Sequence, residues 1–167
     1  FGLKAPALAA VGLDPPGGDR PAAVLLHATS RAEKQWPEES WHALIDRLAA
    51  SGLVPVLPWG SDAERLAARR LAEGNPAAVV APRMSLAQCA ALLGAARCVV
   101  GVDTGLTHLA CALDVPTVAL FAATPAWRFG PYWTDRAIGL GESGRWPEPD
   151  EVMAALGKVG AFRAPGP

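Results

Sequence analysis

Two stretches of the chain hold the groups best suited to chemistry. The first is His27-Ala28-Thr29-Ser30, followed by Lys34. Two adjacent hydroxyls with an ammonium a few residues on suit an anion, because hydroxyls and loop N–H groups donate to phosphate oxygens and the lysine adds charge. The same residues also read as a polar turn with a solvated lysine. The pattern GxxxxGK[ST] is absent, so this is not a Walker loop. The second stretch is Val102-Asp103-Thr104-Gly105-Leu106-Thr107-His108. Here an aspartate follows an apolar run, a glycine permits close backbone approach, and a helix begins with its free N–H groups and positive dipole end exposed to a ligand. Two local roles compete: Thr104 as a helix cap with Asp103 favouring the dipole, and His108 as a satisfied, partly buried histidine.

Three further places are candidates. Ser61 and Glu64 fit the capping pattern S-x-x-E, which accounts for Glu64 without a ligand; a carboxylate there also suits sugar hydroxyls, and Asp62 is the alternative carboxylate. Ser85 and Gln88 repeat the pattern, and Met84 before them offers a soft wall for a flat ring. The late run Trp127-Arg128-Phe129-Gly130-Pro131-Tyr132-Trp133 reads equally as a sugar-stacking cover or a packing latch.

The elements that must position these groups alternate. Ala22–Leu26 reads as a buried strand, and Pro37 opens a helix with Trp41, Leu44, Ile45, Leu48 and Ala49 on one face, stopped by Gly52. Strand Leu53–Leu57 follows, its Pro55 favouring an edge position or an irregularity. A helix from Ser61 turns Ala63, Leu66, Ala67 and Leu71 inward, and Ala77–Ala81 is the next strand. Ser85 caps a helix whose Leu86, Cys89, Ala90 and Leu93 share a face. Strand Cys98–Val102, helix Gly105–Leu113, strand Thr117–Phe121, a weak strand Ala137–Leu140 and a helix bearing Val152, Ala155, Leu156 and Val159 complete the chain. Short apolar strands alternating with amphipathic helices specify α/β architecture: a Rossmann-like, doubly wound parallel sheet that binds ligands at the carboxyl ends of its strands. That context also sets aside the all-β aspartic proteases, which share Asp-Thr-Gly.

Composition bounds the rest. The 167 residues are 51% hydrophobic and 19% charged with a net charge of −1, enough for a core and no strong footprint for nucleic acid. No apolar run approaches the roughly 20 residues that span a bilayer. The chain opens on Phe1 rather than Met, which suggests a fragment or a processed product, with no signal peptide. Cys89, Cys98 and Cys111 lack CxxC spacing and read as buried free thiols in a reducing compartment. Residues 1–21, rich in proline and glycine, read as a lead-in or interdomain linker, 22–160 as the domain and 161–167 as a tail.

Taken together, five runs resemble the ADP-heptose:lipopolysaccharide heptosyltransferases, most of all the members adding the first heptose to the inner core. They are His27-Ala28-Thr29-Ser30, Lys34-Gln35-Trp36-Pro37-Glu38-Glu39, Leu57-Pro58-Trp59-Gly60, Met84-Ser85-Leu86 and Val102-Asp103-Thr104-Gly105-Leu106-Thr107-His108-Leu109. The resemblance covers roughly Ala22 to Gly157 and implies the C-terminal, nucleotide-sugar-binding half of a GT-B glycosyltransferase. It implies that Thr29, Ser30 and Lys34 hold a diphosphate. Asp103, Thr104, Gly105 and His108 would contact diphosphate and heptose, with Leu106 shaping the turn, while Glu64 holds the ribose and Met84 lies against adenine. The catalytic base is then an aspartate of an absent N-terminal half, so no residue here inherits that role; Lys34 would stabilise the leaving group. No DxD motif is present, and no metal or cofactor is expected. The implied partners are ADP-heptose and, through the absent half, a Kdo-bearing lipid A acceptor, with peripheral association at the cytoplasmic face of the inner membrane. A non-catalytic nucleotide module, a second-heptose transferase and an epimerase-type GT-B protein are the alternatives.

Overall fold

The structure, a computed structural model, describes residue 12 and residues 20–122, 134–142 and 144–162. Among these residues, six strands form one sheet: β1 (Ala22–Leu26), β2 (Val54–Leu57), β3 (Val79–Val80), β4 (Cys98–Val102), β5 (Thr117–Leu120) and β6 (Ala137–Leu140). Every pairing is parallel and the order is β3-β2-β1-β4-β5-β6. Among the described residues, five helices connect or cover them: α1 (Glu38–Ala50), α2 (Asp62–Ala72), α3 (Leu86–Ala95), α4 (Gly105–Ala112) and α5 (Pro149–Lys158).

The strands are apolar without alternation because both faces are covered. On β1, Ala23 and Leu25 join the layer made by Trp41, Leu44, Ile45 and Leu48 of α1, Ala68 and Leu71 of α2, and Val152, Ala155 and Leu156 of α5. Ala22, Val24 and Leu26 pack into the opposite layer with Leu92 and Leu93 of α3 and Ala110 of α4. From β1 the chain builds outward to β3, then returns to add β4 on β1's other side. The order therefore reverses between β1 and β4, the crevice where doubly wound sheets take their ligands. Register sets Leu26 beside Gly101, so the loops that follow these strands leave the sheet as neighbours.

Several expectations are corrected. Pro55 does not mark an edge: β2 lies between β1 and β3, with Pro55 opposite Ala23. Val54 N–H donates to the Pro21 carbonyl, on the β1 side. Alternation then turns the Pro55 nitrogen toward β3, whose pairing begins only at Val56 and Val79, so no ladder bond is forfeited. β3 itself is shorter than the expected Ala77–Ala81, although Ala81 N–H still donates to the Leu57 carbonyl. In α2, Ala63 and Leu66 are exposed and the buried face is Ala68 and Leu71. In α3, Leu86 is 70% exposed and Leu92 and Leu93 carry the packing. With about 3.6 residues per turn, Leu66 falls on the side of α2 opposite Ala68 and Leu71, and Leu86 is the first residue of α3, outside the layer that Leu92 and Leu93 join. Cys98 and Cys111 are buried as expected, and burial pushes the Cys98 thiol up to about 12, whereas Cys89 is only partly buried.

The expected linker and tail fall largely outside the described residues. Within the first, Arg20 donates to the carbonyls of Ala49, Gly52 and Leu53, tying the approach to β1 onto the end of α1. At the other end, Ala161 is buried in the core.

The close fit of α4 onto β4 is set by Gly101. A Cβ there would collide with Thr107 Oγ1 and lie 3.0 Å from Leu26 Cβ. Thr107 is buried and donates its hydroxyl to the Val102 carbonyl at 2.7 Å, pinning the first turn of α4. Gly101→Ala is expected to lower stability by about 1–3 kcal/mol through overpacking. Gly94→Ala, on α3 with nothing near its Cβ, should raise it by about 0.5–1 kcal/mol. Urea denaturation of the two variants checks the opposite signs.

Candidate functional site

The loop after β1 and the loop after β4 are joined by charge. Lys34 ends a short 3-10 turn, Ala32–Lys34, and its Nζ lies 2.5 Å from Asp103 Oδ2. The other carboxylate oxygen, Oδ1, is 3.3 Å from His108 Nε2. One aspartate thus takes a cation on one oxygen and an imidazole on the other. The side chains of Lys34 and Asp103 are only 21% and 15% exposed, so salt screens this pair less than a surface pair. Burial works to raise the Asp103 pKa, but the hydrogen bonds and charges of Lys34 and His108 outweigh it and hold the carboxyl below its ordinary value.

The Lys34 loop is braced from behind. Trp36, 3% exposed, donates its indole N–H to the Pro147 carbonyl at 3.0 Å, and its ring meets Trp41 edge-on at 4.9 Å. In the turn itself, Arg31 N–H donates to Thr29 Oγ1 and Lys34 N–H to the Arg31 carbonyl.

α4 opens differently from its neighbours. α2 and α3 start with complete capping boxes at Ser61/Glu64 and Ser85/Gln88. Thr104, at the cap position of α4, makes no such bond; its hydroxyl sits 3.3 Å from that of Thr107. The first N–H groups of α4, from Gly105 and Leu106, gain no partner among the described residues. They remain as donors at the positive end of the helix.

Beside this helix start lies a cavity of about 630 Å³, within the range of small-ligand sites. Thr104, Gly105 and Leu106 line it, as do Met84, Glu64, Trp59, Leu86 and Cys89. Glu64 acts as the cap that the sequence pattern implies: its Oε2 accepts from Gly60 N–H at 2.6 Å and Ser61 N–H at 3.2 Å. Both bonds end on Oε2, so Oε1 keeps acceptor capacity. Asp62 is exposed and lines neither this cavity nor the next. A second cavity, of about 460 Å³, shares Ala28 and Glu64 with the first and is lined by Thr29, Ser30 and His27. His27 is 6% exposed, and its Nε2 has no hydrogen-bond partner. Burial lowers its pKa from 6.5, against the pull of the Glu64 carboxylate and a bond to the Pro58 backbone. The imidazole is therefore neutral near pH 7.

The residues singled out from sequence thus gather at one rim. Lys34 and His108 each touch Asp103, Glu64, Met84, Thr104, Gly105 and Leu106 share a cavity, and Thr29 and Ser30 face its neighbour. The aromatic run 127–133 lies outside the described residues. Sequence reasoning gave no role to Trp59, Trp36 or His27. The signal for Trp59 was a large aromatic placed just before a helix cap at the carboxyl end of a strand. Among the described residues, no three His, Cys, Asp or Glu side chains cluster as metal ligands would, and no helix is long and apolar enough to cross a membrane.

A parallel sheet in this order, with an anion-suited rim at its reversal point, is a doubly wound layer of the kind found in nucleotide-binding proteins, and here it matches one half of GT-B heptosyltransferase structures. The chain belongs to glycosyltransferase family 9, the heptosyltransferases, whose sequence profile matches residues 3–158. It is 48% identical over 112 residues to lipopolysaccharide heptosyltransferase 1 of Salmonella typhimurium, covering 67% of this chain and 35% of that protein. The structure of Escherichia coli heptosyltransferase WaaC with ADP superposes with a TM-score of 0.78 at 38% identity, over 87% of this chain and 46% of that one. The same enzyme with ADP-2-deoxy-2-fluoro heptose gives 0.74 at 38% identity, over 83% and 44%. The chain thus spans about a third of the length of the relative and under half of the solved chains.

The charge arrangement has a pH signature. Because the folded Asp103 pKa is depressed, its stabilising contribution is complete above about pH 4, the ordinary range of an unfolded aspartate. It is lost as pH falls through the lower folded value. Wild type should exceed Asp103→Asn in urea stability at pH 7, with the gap closing in strong acid. A gap independent of pH would contradict the assignment.

Proposed function

We propose that this chain is the donor-binding half of an inverting heptosyltransferase, holding ADP-heptose while heptose passes to the Kdo-lipid A inner core of lipopolysaccharide. The observation that carries the reading is the meeting of Lys34, Asp103 and the open start of α4 beside an apolar cavity. A nucleoside diphosphate sugar needs both ends of that arrangement: donors and charge for the pyrophosphate, and a slot for the base. Family membership and the ADP-bound relative support the same ligand class.

In this reading Thr29, Ser30 and Lys34 hold the diphosphate, with the N–H groups of Gly105 and Leu106 completing the cradle. Asp103 and His108 orient Lys34 and reach the sugar, Thr104 contacts the diphosphate and heptose with them, and Leu106 shapes the turn. Glu64, rather than Asp62, takes the ribose through Oε1, and Met84 lies against adenine.

Transfer breaks the bond between the anomeric carbon and the β-phosphate oxygen, and the bonding pair leaves with ADP. Lys34 and the α4 N–H groups stabilise the negative charge that builds there, an electrostatic contribution that is largest where water is excluded. The sugar carbon becomes oxocarbenium-like, and an acceptor hydroxyl attacks from the opposite face. Its proton goes to a base that the resemblance assigns to the part of the relatives this chain does not match. The acceptor and contact with the inner membrane's cytoplasmic face belong to that part as well.

Calorimetry with ADP tests the reading. Wild type should bind ADP, and Lys34→Ala should lose about 1–3 kcal/mol, the range for a charged hydrogen-bond partner. Equal affinities would overturn the phosphate role. The 167-residue chain alone should transfer little or no heptose.

A further inference from the structure

Asp103 is an anion where the reading above places another anion. It directly precedes Thr104, the cap residue of α4, so it stands at the same helix start whose N–H groups would meet the phosphates. Its Oδ2 is 2.5 Å from the ammonium of Lys34, the residue given to the diphosphate, and its side chain is only 15% exposed. Burial works to raise its pKa, yet Lys34 and His108 hold it below the ordinary value, so the carboxyl is ionised near neutral pH. Among the described residues, those two side chains are the ones that bond it, and His108 adds positive charge only when protonated. A cradle that served only to attract phosphate would be stronger without this carboxylate, which offsets the charge of Lys34. Its presence calls for a second role.

The ligand changes charge during the reaction. While the sugar is attached, each phosphate carries one negative charge. Breaking the bond to the sugar leaves the electron pair on the terminal oxygen, and that phosphate then carries close to two charges, its second ionisation lying near pH 6. Donor and product thus differ by about one charge, on the oxygen that Lys34 stabilises. Charges a few ångströms apart and mostly out of water interact strongly, so a carboxylate bonded to Lys34 senses that difference. We propose that Asp103 is a specificity-determining residue that reads charge: it favours a sugar-capped diphosphate over a free one and so hastens the departure of ADP once heptose has moved. This inference rests on the ADP-heptose reading of the site. Transfer itself does not meet the same penalty. Positive charge builds on the sugar carbon as negative charge builds on the oxygen, and a carboxylate that reaches the sugar meets both. Once transfer is complete the positive charge is gone and the repulsion alone remains.

The β-methyl ester of ADP separates charge from sugar contacts, because the methyl group removes the extra charge and brings no hydroxyl. NMR titrations of the 167-residue chain with ADP and with this ester, at about pH 8 where the terminal phosphate of ADP is fully ionised, test the proposal, with circular dichroism to confirm folding. The ratio of ester affinity to ADP affinity should fall roughly tenfold from wild type to Asp103→Asn, chiefly because ADP binds the variant more tightly. Asp103→Glu, which keeps the charge, should stay near the wild-type ratio. An unchanged ratio in a folded Asp103→Asn would overturn the proposal. A parallel loss of both ligands is one form of that result, and Asp103 would then serve only to position Lys34. If Asp103→Asn does not fold, wild type decides: preference for the ester supports charge reading, and preference for ADP overturns it. Failure of wild type to bind either nucleotide would instead strike the donor-site reading and carry the inference with it.

Discussion

The contact between Lys34 and Asp103 is the interaction on which the rim depends. It joins two loops that are 69 residues apart in sequence and leave neighbouring strands. An ammonium and a carboxylate held mostly out of water attract strongly, and either alone would be a costly buried charge. Asp103 also meets His108 of α4, so one carboxylate ties the Lys34 loop to that helix. The pair keeps a cation at the sheet's reversal point in the absence of ligand. The open start of α4 supplies neutral donors beside it, and the cavity supplies apolar surface.

The supports behind this contact are of a different kind. Gly101 lets α4 press onto β4, and Thr107 locks its first turn to the Val102 carbonyl. Trp36 anchors the far end of the Lys34 loop through a buried indole bond. Glu64 serves in a capping box while lining both cavities, so the group that stabilises α2 also shapes the space beside the rim. A rim built this way carries function on loops and takes its rigidity from the sheet and the helix starts.

Much of this was legible in the chain. Apolar runs such as Ala22–Leu26 and Cys98–Val102 have no reason to lack alternation unless helices cover both faces, and they do. The capping boxes at Ser61 and Ser85 are local hydrogen-bond patterns and appear as written. The grouping of Lys34 with Asp103 and His108 followed from strand-end geometry and the family resemblance. What the sequence hid was set by tertiary placement. Pro55 reads as an edge residue, but its nitrogen faces a stretch where β3 has not yet begun. Leu66 and Leu86 fit an inward helical face, but Leu66 lies opposite the face that Ala68 and Leu71 bury, Leu86 begins its helix outside the core, and both are exposed. The orphaned His27 nitrogen and the indole bond from Trp59 to the Ala81 carbonyl arise from neighbours distant in sequence, which periodicity does not register.

The indole bond from Trp36 to Pro147 has a temporal side. It connects the Lys34 loop to a residue just ahead of α5, 111 positions later. α1 and α5 share one core layer, so that helix must dock before the brace can form. All six strands of the sheet precede Pro147 in sequence and so emerge earlier during synthesis. The sheet can therefore assemble while the Lys34 loop still lacks its anchor, and the loop becomes fixed only after α5 has been made.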